Sequence, residues 1–399
     1  MAILPSWNSV SQRISLRTFT CQRSRSGFGA NSSKPHKTCM SPSCELNTRI
    51  LVLGYSARLQ GGVTKVTGHL LRHMPEMELH PFLYGYTPRL YSIFRTFISF
   101  LAYCARLALN PGRYAIIHII IGSPGDALRT IPYILVAALG RYKICLQYHT
   151  STDIIMQGLP RSFIRTLVLR IWKLVDTQAF LSMSLARLHG DFACQATQTV
   201  VVIPNALDRN WHETEILPVT DRNRDIVFFG RWSWEKGVND LVNALEKVTV
   251  PVECECYTNP PNGVHPAHCR LLPWVPESEV LRIMRTARIL ILPSYAEAYP
   301  TVLLEAAACG TPFIATDIAG IPDIVNESGA GVLIKPGDVR GLAAAIDMLM
   351  TDEDLWKTLS NNGKKWVSQL NTESIVAKWR NTYRNMLKGK GNSWTAPPP

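Results

Sequence analysis

The residues with the clearest chemical potential are two cations and two carboxylates. Arg231 and Lys236 stand five positions apart in FGRWSWEKGV, and Glu297 and Glu305 stand eight apart in PSYAEAYPTVLLEAAACGTPFIA. Arginine presents a planar fork of donors and lysine a compact ammonium, so this pair, spanning a strand-to-helix turn, can reach two phosphates of one diphosphate. On one continuous helix the carboxylates would lie roughly 12 Å apart. A turn between them lets both converge on one small ligand, close to helix N–H groups that suit a phosphate. His149 ends an apolar strand pattern and precedes Thr150, Ser151 and Thr152; an isolated histidine in such a place is as readily structural as functional. Gly61 and Gly62 follow the first apolar strand, where glycine lets backbone approach a ligand at a helix start. The G-x-G-x-x-G fingerprint is absent, so a dinucleotide cofactor is not indicated.

These residues need a scaffold, and the apolar patterning supplies one. RILVLGY from Arg49, YAIIHIII from Tyr114, KICLQYH from Lys143, DTQAFLSM from Asp176 and TVVVIP from Thr199 read as strands alternating with helices. That alternation predicts a doubly wound parallel sheet with ligands beyond the carboxyl ends of its strands. VIPNALD closes this half. A second series begins at DIVFFGR and continues through a helix from Val238, VECECYT, a helix near 276–285, ARILILP, a helix carrying Val302, Leu303, Ala306 and Ala307, PFIAT and GVLI. Pro300 fits the first turn of the helix after ARILILP, and Gly310 with Pro312 ends it. The expected domains are a basic arm over residues 1–47, a first Rossmann-like domain over 48–210, a second over 211–371, a terminal helix over 372–390 that could return to the first domain, and a tail over 391–399.

The chain has 399 residues and a net charge of +12 that is unevenly spread. Residues 1–205 hold 22 Lys plus Arg against 7 Asp plus Glu, and the remainder 20 against 23. The basic half is therefore expected to face something anionic, such as a membrane surface or a lipid phosphate. Nucleic acid is not expected, because no helix-turn-helix, zinc or aromatic-and-basic sheet motif is evident. Two segments read as basic amphipathic helices, residues 89–106 and RSFIRTLVLRIWKLV from Arg161. The arm has the composition of a disordered segment or a transit peptide. Ten cysteines at irregular intervals fit neither a disulfide framework nor a zinc site, which suggests a reducing compartment.

Taken together, QGGV after the first strand, HTST after a middle strand, VIPNALD at the junction, GRWSWEKG, and E-x7-E leading into ACGTP resemble the retaining glycosyltransferases of family 4. The resemblance runs from about Arg49 to Leu387, and HTST with the glycine loop is similar to the phosphatidylinositol mannosyltransferase branch. It implies the GT-B architecture, an α/β fold of two facing Rossmann-like domains with a cleft between them. It also implies a nucleoside-diphosphate sugar as substrate, no cofactor and no metal. The acceptor would be a lipid-linked or polysaccharide molecule in cell-surface polysaccharide or glycolipid synthesis, with the enzyme peripheral at the cytoplasmic face of a membrane. By the same resemblance, Gly230, Arg231 and Lys236 hold the donor diphosphate, Glu305 the ribose hydroxyls and Glu297 the donor sugar. Gly61 and Gly62 lie near diphosphate and acceptor, His149 lies against the transferred sugar, and Tyr299, Pro300, Thr301 and Val302 line the donor loop. Ala298 and Pro300 replace glycines common in the family, which stiffens that loop. The competing expectations are a GT-B synthase or epimerase acting on soluble sugars, and a non-catalytic basic binding protein.

Overall fold

The computed structural model describes residues 49–55, 62–83, 89–193, 198–259 and 263–389. The expected basic arm (1–47), Gly61 and the expected tail (391–399) lie outside the described residues. The first half runs β1 (Arg49–Tyr55), α1 (Gly62–His73), β2 (Met77–Leu83), α2 (Arg89–Leu109), β3 (Tyr114–Ile121), α3 (Pro124–Arg129), α4 (Ile131–Leu139), β4 (Lys143–Tyr148), α5 (Thr152–Gln157), α6 (Ser162–Trp172), β5 (Thr177–Phe180), α7 (Met183–Ala193) and β6 (Thr199–Val202). A short helix α8 (Arg209–His212) leads into the second half: β7 (Arg224–Phe229), α9 (Val238–Leu245), β8 (Cys254–Tyr257), β9 (Cys269–Leu272), α10 (Glu277–Thr286), β10 (Ala287–Leu292), α11 (Thr301–Ala308), β11 (Phe313–Thr316), α12 (Ile321–Ser328) and β12 (Gly331–Ile334). Three helices close the chain, α13 (Val339–Thr351), α14 (Glu353–Val367) and α15 (Thr372–Leu387).

Each half builds one six-stranded sheet, all parallel, in the orders β2-β1-β3-β4-β5-β6 and β12-β11-β10-β7-β8-β9. Strands covered on both faces read as continuous apolar runs, and Ile117, Ile119, Leu290 and Leu292 are all fully or almost fully buried. The two strands that the sequence does not announce, β2 and β9, are both sheet edges. MELHPFL contains a proline, which an edge strand tolerates, and CRLL is too short and too exposed to show a pattern. Pro300 differs by one position from its expected place, standing as the N-cap of α11 and not inside it.

The C-terminal helix α15 lies against the outer face of the first sheet. Ile375, Trp379 and Tyr383 pack there with Ile50, Val52, Ile116 and Cys145. Tyr383 donates its hydroxyl to His118 Nδ1 at 2.6 Å, and the ring's Nε2 faces Gln147 Oε1 at 3.1 Å. Arg380 pairs with Glu76 at 2.8 Å. The last helix thereby ties the end of the chain to the first sheet.

Candidate active site

In a doubly wound sheet the strand order reverses at one place, and the loops leaving the two strands there diverge to form a crevice. In the second sheet that place lies between β7 and β10. The loop after β7 carries Gly230, Arg231 and Lys236, and the loop after β10 carries Glu297. Residues 61 apart in sequence are thus brought side by side, and Lys236 Nζ meets Glu297 Oε1 at 2.5 Å. Ser294 Oγ donates to the same carboxylate oxygen at 3.1 Å, and Tyr295 N–H donates to Glu235 O at 2.8 Å, joining the two loops through backbone. Gly237 turns the chain from Lys236 into α9 with φ of 67°, in the left-handed region. A Cβ there would lie 1.9 Å from Pro293 O, so only glycine permits this approach of the loops. Arg231 is exposed beside them and has no ion-pair partner among the described residues.

Glu305 is engaged from the other half of the molecule. It sits on α11, buried, and accepts from Lys65 Nζ at 2.6 Å. Lys65 ends the first turn of α1, three residues after the glycine pair, and also reaches Glu277 at 2.8 Å. Trp211 donates its indole N–H to Glu277 at 3.1 Å and places its ring 5.5 Å from the lysine ammonium. Burial works against the charge on Lys65, but the carboxylates of Glu305 and Glu277 more than offset it, and its pKa is raised above the usual lysine value. A cavity of about 570 Å³ opens here, between Thr64, Lys65 and Gly68 of α1 and Trp274, Val275 and Glu277 at the start of α10. Its volume is that of a small-molecule site. Lys65 carries no signal in the sequence except its place just inside a helix that follows two glycines.

His149 follows β4, its backbone N–H donating to Ile121 O at 2.7 Å. Its Nε2 is sealed from solvent and has no partner among the described residues, and burial holds its pKa down at about 4. The ring is therefore neutral and keeps one unused polar atom. Gly62 starts α1 with open space around it. Tyr299 is nearly buried, and its carbonyl accepts from Asn205 of the NALD segment at 3.3 Å. Thr301 and Val302 form the half-buried first turn of α11, where backbone N–H groups point away from the helix. Asp323 of α12 accepts from Ser184 N–H at 2.7 Å and Ser184 Oγ at 2.6 Å on α7. Asn205, Ser184 and Asp323 join the two halves; Asn205 lies in the VIPNALD motif at the junction, and no sequence signal marks Ser184 or Asp323.

The structure thus places the Lys236–Glu297 pair at the strand-order reversal of the second sheet, and Glu305 with Lys65 beside a cavity lined from both halves of the chain. The fold is GT-B, two Rossmann-like domains of parallel sheet. Residues 265–366 match the family model described as "Glycosyl transferases group 1". An N-acetyl-alpha-D-glucosaminyl L-malate synthase of Bacillus anthracis is 26% identical over 188 residues, 44% of this chain and 49% of that protein. A D-inositol 3-phosphate glycosyltransferase of Thermobifida fusca is 31% identical over 118 residues, 30% of this chain and 27% of that protein. The chain spans about half the length of the curated relatives it matches over the longer alignments. Among solved structures, the sucrose-phosphate synthase from Thermosynechococcus elongatus superposes with a TM-score of 0.69 at 20% identity, covering 85% of this chain and 99% of that one. The Anabaena protein HepE in complex with UDP-glucose gives a TM-score of 0.68 at 16% identity, covering 84% and 99%.

Proposed function

We propose that this protein is a metal-independent, retaining glycosyltransferase that moves a sugar from a nucleoside-diphosphate sugar to a lipid-linked or saccharide acceptor. The observation that carries this is the meeting of Lys236 with Glu297 at the strand-order reversal of the second sheet, with Arg231 beside them. When the sugar–phosphate bond breaks, its electron pair stays on the leaving diphosphate. Arg231 and Lys236, together with the N–H groups of the first turn of α11, are preorganised to stabilise that added charge. Glu297, now paired with Lys236, would turn to the hydroxyls of the donor sugar, and Glu305 to those of the ribose, with the base in the cavity beside Val275. The acceptor hydroxyl attacks the face that the diphosphate leaves and gives its proton to a leaving phosphate oxygen, so neither glutamate acts as nucleophile. His149, neutral, would bond a sugar hydroxyl from the first domain only after the groups that seal its Nε2 move aside.

A soluble acceptor is the competing reading, favoured by relatives that include a glycogen synthase of Mycobacterium tuberculosis. The testing experiment is a thermal-shift panel of UDP, GDP, ADP and their sugars on wild type and Arg231→Ala, followed by product analysis. A ligand at about 100 times its dissociation constant stabilises the native state by about 2.7 kcal/mol. The expected outcome is one nucleoside diphosphate that raises the midpoint of wild type and much less that of the variant. No response to any nucleotide at saturating concentration would remove the transferase reading.

A further inference from the structure

One layer of helices on the first domain presents an apolar surface with nothing packed on it among the described residues. Every exposed position of α2 from Phe94 to Leu109 is apolar, with Phe94 60% exposed, Phe97 56% and Leu109 80%. The exposed positions recur at spacings of three and four, so they form one stripe along the helix. The opposite face of α2, with Ser99, Tyr103 and Leu107, is buried against the domain. Helix α4 packs against both α2 and α6 and continues the surface with Leu139, 84% exposed. Helix α6 adds Phe163, 61% exposed, and Leu167, and it interleaves them with Arg161, Arg165, Arg170 and Lys173, all exposed. Soluble surfaces rarely leave so much contiguous apolar area open without a partner.

We propose that this α2–α4–α6 face docks on an anionic lipid bilayer, lying in the interface and holding the cleft at the membrane. Charge selects this occupant. Arg161, Arg165, Arg170 and Lys173 on and beside α6 are exposed and form no ion pair with a carboxylate among the described residues. A second copy of the chain seated on the same face would set these cations against one another, whereas anionic headgroups complement them, each cation near the surface adding to the attraction. The helices lie on the bilayer and do not cross it: one face of α2 is committed to the protein core, and no described helix is long and apolar enough to span. The topology gives the docking a direction. Crossover helices start at the carboxyl edge of a parallel sheet, so the N-terminal ends of α2 and α6, the latter with its N-cap Arg161 and with Phe163, stand at the cleft end of the layer. This rests on the transferase reading only for its purpose, which is to bring a lipid-anchored acceptor to the cleft.

The test is co-sedimentation of the full chain with vesicles of phosphatidylcholine mixed with phosphatidylglycerol, and of phosphatidylcholine alone, at rising salt. Wild type is expected to bind the anionic vesicles and to lose binding as salt rises. Phe97→Glu combined with Leu101→Glu is expected to weaken binding about tenfold or more, and Arg170→Gln with Lys173→Gln to weaken it on anionic vesicles alone. Far-ultraviolet circular dichroism and an unchanged response to nucleotide serve as folding controls for each variant. No binding to anionic vesicles, binding indifferent to both variants, or a wild-type dimer that Phe97→Glu dissociates without any vesicle binding would each overturn the proposal. Vesicle binding is measured without donor or acceptor, so its failure leaves the nucleotide experiment untouched, and the reverse also holds.

Discussion

At the scale of single residues, the candidate site keeps its carboxylates paired with lysines, and under the proposed function a donor would have to rearrange those pairs. Glu305 is a buried carboxylate whose counter-charge, Lys65, comes from 240 residues earlier in the chain. A buried charge without a partner is strongly unfavourable, so the lysine stabilises Glu305, and under the proposed function it would compete with the donor ribose for the same oxygen. Lys65→Met is therefore expected to lower stability by about 1–3 kcal/mol, discounted from the fully buried case because the lysine side chain is 32% exposed. The same variant should gain a larger thermal shift from the nucleoside diphosphate than wild type does. Equal shifts in the two proteins would mean that Lys65 and the nucleotide do not share Glu305. Arg231, Lys236 and Glu297 could be picked out in the sequence because their motifs are local. Lys65 and Asp323 could not, because each acts on a partner more than a hundred residues away.

At the scale of elements, the site depends on how two loops leave adjacent parallel strands. Gly237 lets the β7 loop fold onto Pro293 at the end of β10, and no other residue fits without moving one of them. Gly237→Ala combines a left-handed backbone with a backbone clash, so a loss of at least about 1–2 kcal/mol is expected. Because Lys236 is the preceding residue, kcat should fall more than stability does, and a chemical denaturation curve measured beside the turnover number separates the two effects. An Ala variant with wild-type turnover would show that the geometry of this turn does not set the position of Lys236. The central strands were readable from their apolar runs, since burial on both faces demands such a composition. The edge strands β2 and β9 were not, because an edge needs only one paired side and accepts Pro81, His80 and Arg270.

At the scale of the whole molecule, three histidines whose pKa is strongly depressed make the fold sensitive to acid. Burial depresses the pKa of His118 to about 3, of His189 to about 3 and of His149 to about 4. These groups stay neutral in the folded chain and take up protons in the unfolded chain below about pH 6.5. Stability is thus fully present above that pH and is lost as pH falls from there toward 4 for His149 and toward 3 for His118 and His189. The loss is on the order of 2 kcal/mol per histidine by pH 5. Urea midpoints at pH 7 and pH 5 should differ accordingly, and a flat profile would mean that the imidazoles are protonated inside the fold. The sequence by itself determined the alternation of strands and helices, the two-domain architecture and the local cation and carboxylate motifs, since each follows from residues close together in the chain. The tertiary structure alone decided that Lys65 answers Glu305, that α15 returns to the first sheet, and that the basic apolar helices turn one shared face outward. These are contacts and exposures between distant segments, which packing sets and which no local pattern encodes.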